Sequence, residues 1–101
     1  MNRDHAIDVL RAHESELRAS GIASLALFGS TARNEVPAND VDLAVRFADD
    51  TSCRGFGFIE RLERLEHRLS EILGCAVDVV EEPVRHQRLQ QEIDKDRAVA
   101  F

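Results

Sequence analysis

The chain has 101 residues, of which 44% are hydrophobic and 32% charged, and its formal net charge of −6 gives a sequence pI near 5.1. That length suits a single domain over residues 1–101 with one modest core, and the composition excludes a disordered chain. No apolar run approaches the roughly 18 residues of a membrane span, Met1-Asn2-Arg3-Asp4-His5 is no signal peptide, and the acidic balance is a poor match to a nucleic-acid backbone, so the expected compartment is the cytoplasm.

Asp4 to about Ser20 is predicted helical, because Ala6, Leu10 and Leu17 share a stripe and Ser20-Gly21 supplies a stop. Ile22 to Phe28 reads as a buried strand. A short helix is expected around Thr31–Asn34, then a loop through Pro37. Asp40 to Phe47 alternates as a strand and ends in Ala48-Asp49-Asp50-Thr51-Ser52, most simply a solvated turn.

Phe58 to Leu73 carries the clearest helical pattern. Phe58, Leu62, Leu65, Leu69 and Ile72 form its apolar stripe, and Glu60, Arg61, Glu63, Arg64, Arg68 and Glu71 form a wet face read as an i,i+4 charge lattice. Gly74 ends it. A strand over Ala76–Val80 follows, then a break at Glu81-Glu82-Pro83 and a last helix from about Val84 to Asp96, sparse in apolar residues. Ala98-Val99-Ala100-Phe101 is an apolar tail that a monomer gains little by exposing, and with the last helix it is a candidate partner surface. The order α-β-α-β-α-β-α makes this an α/β (α+β) fold, a small mixed sheet flanked by helices.

Chemistry concentrates in three places. Gly29-Ser30 closes a strand and opens a helix, where unpaired backbone N–H groups favour anions. Gly29 lets the backbone approach a phosphate closely, Ser30 can cap the helix or donate its hydroxyl, and Arg33 lies one turn on. Taken alone, Gly-Ser is most simply an ordinary strand-to-helix turn. Asp40 and Asp42 point to one face of their strand, about 6.6 Å apart along it, while Val41, Leu43, Val45 and Phe47 point into the core. Two carboxylates so placed can share magnesium, which takes oxygen ligands, or they can simply face water.

Asp78 decides between these readings, since it stands between Val77 and Val79 in an apolar strand. A carboxylate there is costly unless it is exposed, paired or metal-bound. Beside the Asp40–Asp42 strand it would complete a trio whose repulsion a metal ion relieves. Cys53 and Cys75 have no disulfide or zinc spacing, and the histidines at 5, 13, 67 and 86 have no ligand spacing; His13 and His67 fall in helical segments.

Gly29-Ser30, nine residues, then Asp40-x-Asp42, with Asp78 on a later strand, resembles the nucleotidyltransferase superfamily of the DNA polymerase beta type. The Gly29, Ser30, Ala32, Arg33, Glu35 pattern is similar to that of the minimal nucleotidyltransferases, with Asn39 where Ser is commoner before the first Asp. The resemblance runs from about Ala23 to Val80 and implies the nucleotidyltransferase fold. It also implies roles: Gly29, Ser30 and Arg33 hold ATP, Asp40, Asp42 and Asp78 bind two magnesium ions, and Asp78 helps deprotonate the acceptor. Proteins of this size resemble the antitoxin of bacterial pairs whose toxin is a HEPN ribonuclease. The implied reaction moves AMP to a tyrosine hydroxyl of that toxin. The alternative is a non-catalytic antitoxin that neutralises its partner by occlusion.

Overall fold

The computed structural model describes residues 2–33, 40–48 and 56–101. The loop through Pro37, Asn39, the Asp49-Asp50 turn and Cys53 lie outside them, as does the side chain of Phe58.

Asn2 starts α1 (Arg3–Ala12) by accepting a hydrogen bond from the His5 N–H at 2.8 Å. The expected single first helix is two. His13 leaves helical geometry at φ −106° and ψ 13°, and its Nδ1 donates to the Val9 carbonyl at 3.0 Å. Then α2 (Glu14–Ala19) runs on to Gly21, whose φ of 103° closes the turn. Ala6, Leu10 and Leu17 are wholly buried, so the stripe survives the break.

β1 (Ile22–Phe28) pairs antiparallel with β2 (Asp40–Phe47), and β2 pairs parallel with β3 (Ala76–Glu81). Between β2 and β3 lies α4 (Phe56–Leu73), beginning slightly earlier than its stripe suggests. The last helix, α5 (Gln87–Asp96), begins later than expected at its capping residue His86, whose Nδ1 accepts from the Leu89 N–H. With a fourth strand, β4, formed by Ala98–Val99, the sheet order is β3-β2-β1-β4, with mixed strand directions as expected.

The fourth strand, β4 (Ala98–Val99), is made from the apolar tail. It pairs antiparallel with β1; Ala100 is wholly buried, and the Leu25 N–H donates to the Phe101 carbonyl at 3.0 Å. Phe101 lies half-buried beneath the Arg18 guanidinium, 4.9 Å from ring centroid to charge. Most of the tail proposed as a partner surface therefore serves the fold itself, although Val99 stays exposed.

Residue alternation assigns the two sheet faces. Leu25, Leu27, Val41, Leu43, Val45, Val77 and Val79 meet α1, α2 and α4 through Ala6, Leu10, Leu17, Leu65, Leu69 and Leu73. The opposite face buries Phe28 and Ala44 beneath Ile93 of α5, with Val80, Val84 and Leu89 around them. Burying Ile93 contributes about 2 kcal/mol to holding α5 there. The wet face of α4 is no simple i,i+4 lattice: Arg68 reaches across to Glu16 of α2 at 2.6 and 2.7 Å, and Arg61 lies over the Phe47 ring. Among the described residues, no helix is long and apolar enough to cross a membrane.

Candidate active site

The carboxylates share the sheet face that α5 partly covers. Val41 and Val77 occupy the core face, so Asp40, Asp42 and Asp78 turn to the other. Asp42 is the direct register partner of Asp78 across the parallel β2–β3 pair, as the trio requires. Asp40 and Asp78 are exposed and Asp42 is half-buried. Burial, above all, raises the Asp42 carboxyl above its ordinary value; the charges of Asp78 and then Asp40 push it the same way, and Arg33 opposes them.

β1 brings the second component. Phe28 pairs with Asp42 across the antiparallel ladder, so the chain leaves β1 directly beside that carboxylate. Gly29 follows at φ +73°, and a Cβ built there would collide with Asp42 Oδ2. Glycine is needed here twice, for its backbone and for the space. Gly29→Ala is expected to cost about 2 kcal/mol from the left-handed backbone alone, lowering Tm by roughly 10 °C in a thermal melt. An unchanged melt would show that the turn relaxes elsewhere.

The short helix α3 (Gly29–Ala32) starts at Gly29, with Phe28 in the capping position and no side-chain cap. Ser30 is therefore not the helix cap, and its hydroxyl has no hydrogen-bond partner among the described residues. The strand-to-helix turn is thus formed without the capping role expected of Ser30. Thr31, absent from the motif reading, is wholly buried and donates through Oγ1 to the Asp40 carbonyl at 3.3 Å. It ties the Gly-Ser turn to the start of the carboxylate strand.

Phe28, Gly29, Ser30, Arg33 and Asp42 line a cleft of about 520 Å³ with Glu92, Lys95 and Asp96 of α5. Arg33 faces this cleft, but its Nη1 is held by Asp96 at 2.5 Å. The three α5 residues were not legible as site residues, because nothing in their spacing shows where α5 docks. A second hollow of about 310 Å³, lined by Leu17, Phe47, Arg61 and Arg64, contains none of the motif residues.

The donor set suits a hard cation: all oxygen, gathered on one face, with mutual repulsion that a positive charge would relieve. Among the described residues, no three His, Cys, Asp or Glu side chains already enclose such an ion. Asp40 and Asp78, both exposed, would have to turn inward to do so. Neither Cys75 nor any described histidine joins the trio.

A nucleotidyltransferase domain profile matches residues 10–100. Two Methanocaldococcus jannaschii proteins described as candidate protein adenylyltransferases are 33% and 34% identical over 92 residues, covering 88% of this chain and 88% of each relative. A solved structure described as a minimal nucleotidyltransferase superposes with a TM-score of 0.73 at 27% identity, covering 97% of this chain and 95% of that one. The fold also matches a chain from a tri-AMPylated Shewanella oneidensis HEPN toxin in complex with MNT antitoxin, with a TM-score of 0.63 at 21% identity over 94% of this chain and 71% of that one. Another fold match is a toxin–antitoxin structure with AMP-PNP, with a TM-score of 0.66 at 23% identity over 100% of this chain and 73% of that one.

Proposed function

The chain belongs to the nucleotidyltransferase domain family, and from that premise we propose that it is a cytoplasmic protein adenylyltransferase, moving AMP from ATP to a tyrosine hydroxyl of a HEPN-type toxin and so acting as its antitoxin. The observation that carries the proposal is the Asp42–Asp78 register beside the Gly29–Ser30 turn: Asp42 lines one cleft with Gly29, Ser30 and Arg33, and Asp78 pairs with it on the neighbouring strand, which supports the reading. The relatives described as protein adenylyltransferases and the fold match to an antitoxin with an AMPylated toxin support the choice of reaction and partner.

In this reading Gly29 admits the triphosphate against the backbone, and Ser30 donates its uncommitted hydroxyl to a phosphate oxygen. Arg33 adds positive charge at the same mouth. Asp40, Asp42 and Asp78 would hold magnesium ions, which when bound neutralise charge developing on the α-phosphate and the pyrophosphate. Asp78, exposed and paired in register with Asp42, would accept the proton of an arriving hydroxyl. The attacking oxygen forms a new bond to the α-phosphorus, and pyrophosphate departs.

Co-expression with the cognate toxin tests the reading in cells. Asp40→Asn is expected to abolish protection while the variant accumulates normally. Full protection by that variant would favour occlusion without catalysis.

A further inference from the structure

Lys95 is the single lysine of the chain; every other Lys+Arg position is arginine. It falls not on an arbitrary surface but on the wall of the cleft formed by Gly29, Ser30, Arg33 and Asp42. Its neighbours are already committed. Asp96 holds Arg33 at 2.5 Å, Asp94 lies 3.0 Å from Arg97, and Glu92 is 4.0 Å from Arg88. Lys95 itself has no ion pair or hydrogen bond among the described residues.

The helix that presents it is held on both flanks. Ile93 is wholly buried against Phe28 and Ala44, Arg97 clasps the Glu82 carboxylate behind, and Asp96 grips Arg33 in front. Lys95 is thus an uncommitted ammonium on a flexible stem, rooted in an anchored last turn and bordering a cleft that also contains Asp42, Glu92 and Asp96. A lysine at a helix end can simply favour the helix dipole. That role predicts no coupling to any ligand in the cleft.

We propose that Lys95 is a nucleotide-positioning residue, its ammonium holding the phosphates of the incoming triphosphate across the cleft from the Gly29–Ser30 turn. The proposal rests on the nucleotidyltransferase reading of this cleft. Arg33 already shares its charge with Asp96, so among the described residues lining the cleft Lys95 offers a strongly anionic triphosphate an uncommitted cation, and a compact ammonium suits that task as a point charge. Acylation of Lys95 would neutralise this contact and weaken nucleotide binding.

The test is a calorimetric titration of magnesium-ATP into wild type and Lys95→Met, with peptide mapping after acetic anhydride treatment in the presence and absence of magnesium-ATP. A lost charge-assisted contact raises Kd about ten- to hundredfold. The ligand-free Tm is expected to stay unchanged, since Lys95 is exposed and has no partner to lose. Saturating magnesium-ATP is expected to slow acetylation of Lys95 in the wild type. Wild-type affinity in Lys95→Met, or acetylation indifferent to nucleotide, overturns the role of Lys95 and leaves the nucleotidyltransferase reading standing. A wild-type protein that binds no magnesium-ATP overturns both.

Discussion

Asp42→Asn is expected to lower AMP transfer at least about a thousandfold, because the several kcal/mol that a coordinated cation supplies to such a reaction are lost. The same variant should melt no lower than wild type at neutral pH. Asp42 is a carboxyl whose value in the folded chain is raised, first by burial and then by Asp78 and Asp40. For such a group the cost to the fold is absent below its ordinary value, grows as pH rises, and is full above the raised value. At neutral pH the wild type therefore carries the whole cost, and asparagine removes it. Magnesium should raise the Tm of wild type, through linkage, and leave Asp42→Asn nearly unmoved. Paired melts with and without magnesium check both halves. A variant that melts far below wild type would show that Asp42 holds the fold and not the ion.

The second large effect lies away from the chemistry. Glu82 is buried just past the end of β3, where it accepts two hydrogen bonds from Arg97 and one from Gln90 at 2.8 Å, with Arg46 at 3.8 Å. These contacts, Arg97 above all, hold its carboxyl below the ordinary glutamate value against the opposing effect of burial. Glu82→Gln leaves the Arg97 guanidinium facing a neutral partner and should cost about 3 kcal/mol at neutral pH. A lowered carboxyl contributes stability that is fully present above its ordinary value and is lost as pH falls through the lowered one. The Tm gap between wild type and Glu82→Gln should therefore be wide near neutrality and close in acid, where protonated Glu82 resembles glutamine. A gap that stays constant with pH would assign the loss to packing instead of charge. Because this pair anchors α5, the variant should also weaken nucleotide binding in the cleft.

Much of this was legible in the chain itself. The period-two pattern of Val41, Leu43 and Val45 fixes which way Asp40 and Asp42 face, and the structure keeps that assignment. Local pattern also locates β1 and most of α4, because each buries a regular apolar face. What was not legible depends on tertiary placement. Nothing in Ala76–Val80 alone says that Asp78 lies opposite Asp42; the parallel register does. The tail is too short to announce a strand and becomes one by pairing with β1. Ser30 could have been a helix cap until Phe28 was found in that position. Arg33 was legible as a cation near the turn, but not as one already held by Asp96, since that pair spans the distance from α3 to α5. Lys95 enters the site for the same reason: α5 carries it there, and a sparse apolar stripe does not state where a helix will dock.

Transfer of AMP to a protein partner is read by intact-mass spectrometry of the partner that co-purifies with this chain. With ATP and magnesium, the partner should gain mass in whole AMP increments in the presence of wild type and none in the presence of Asp42→Asn. A partner that binds tightly and never gains mass would rule out AMP transfer and leave neutralisation by occlusion.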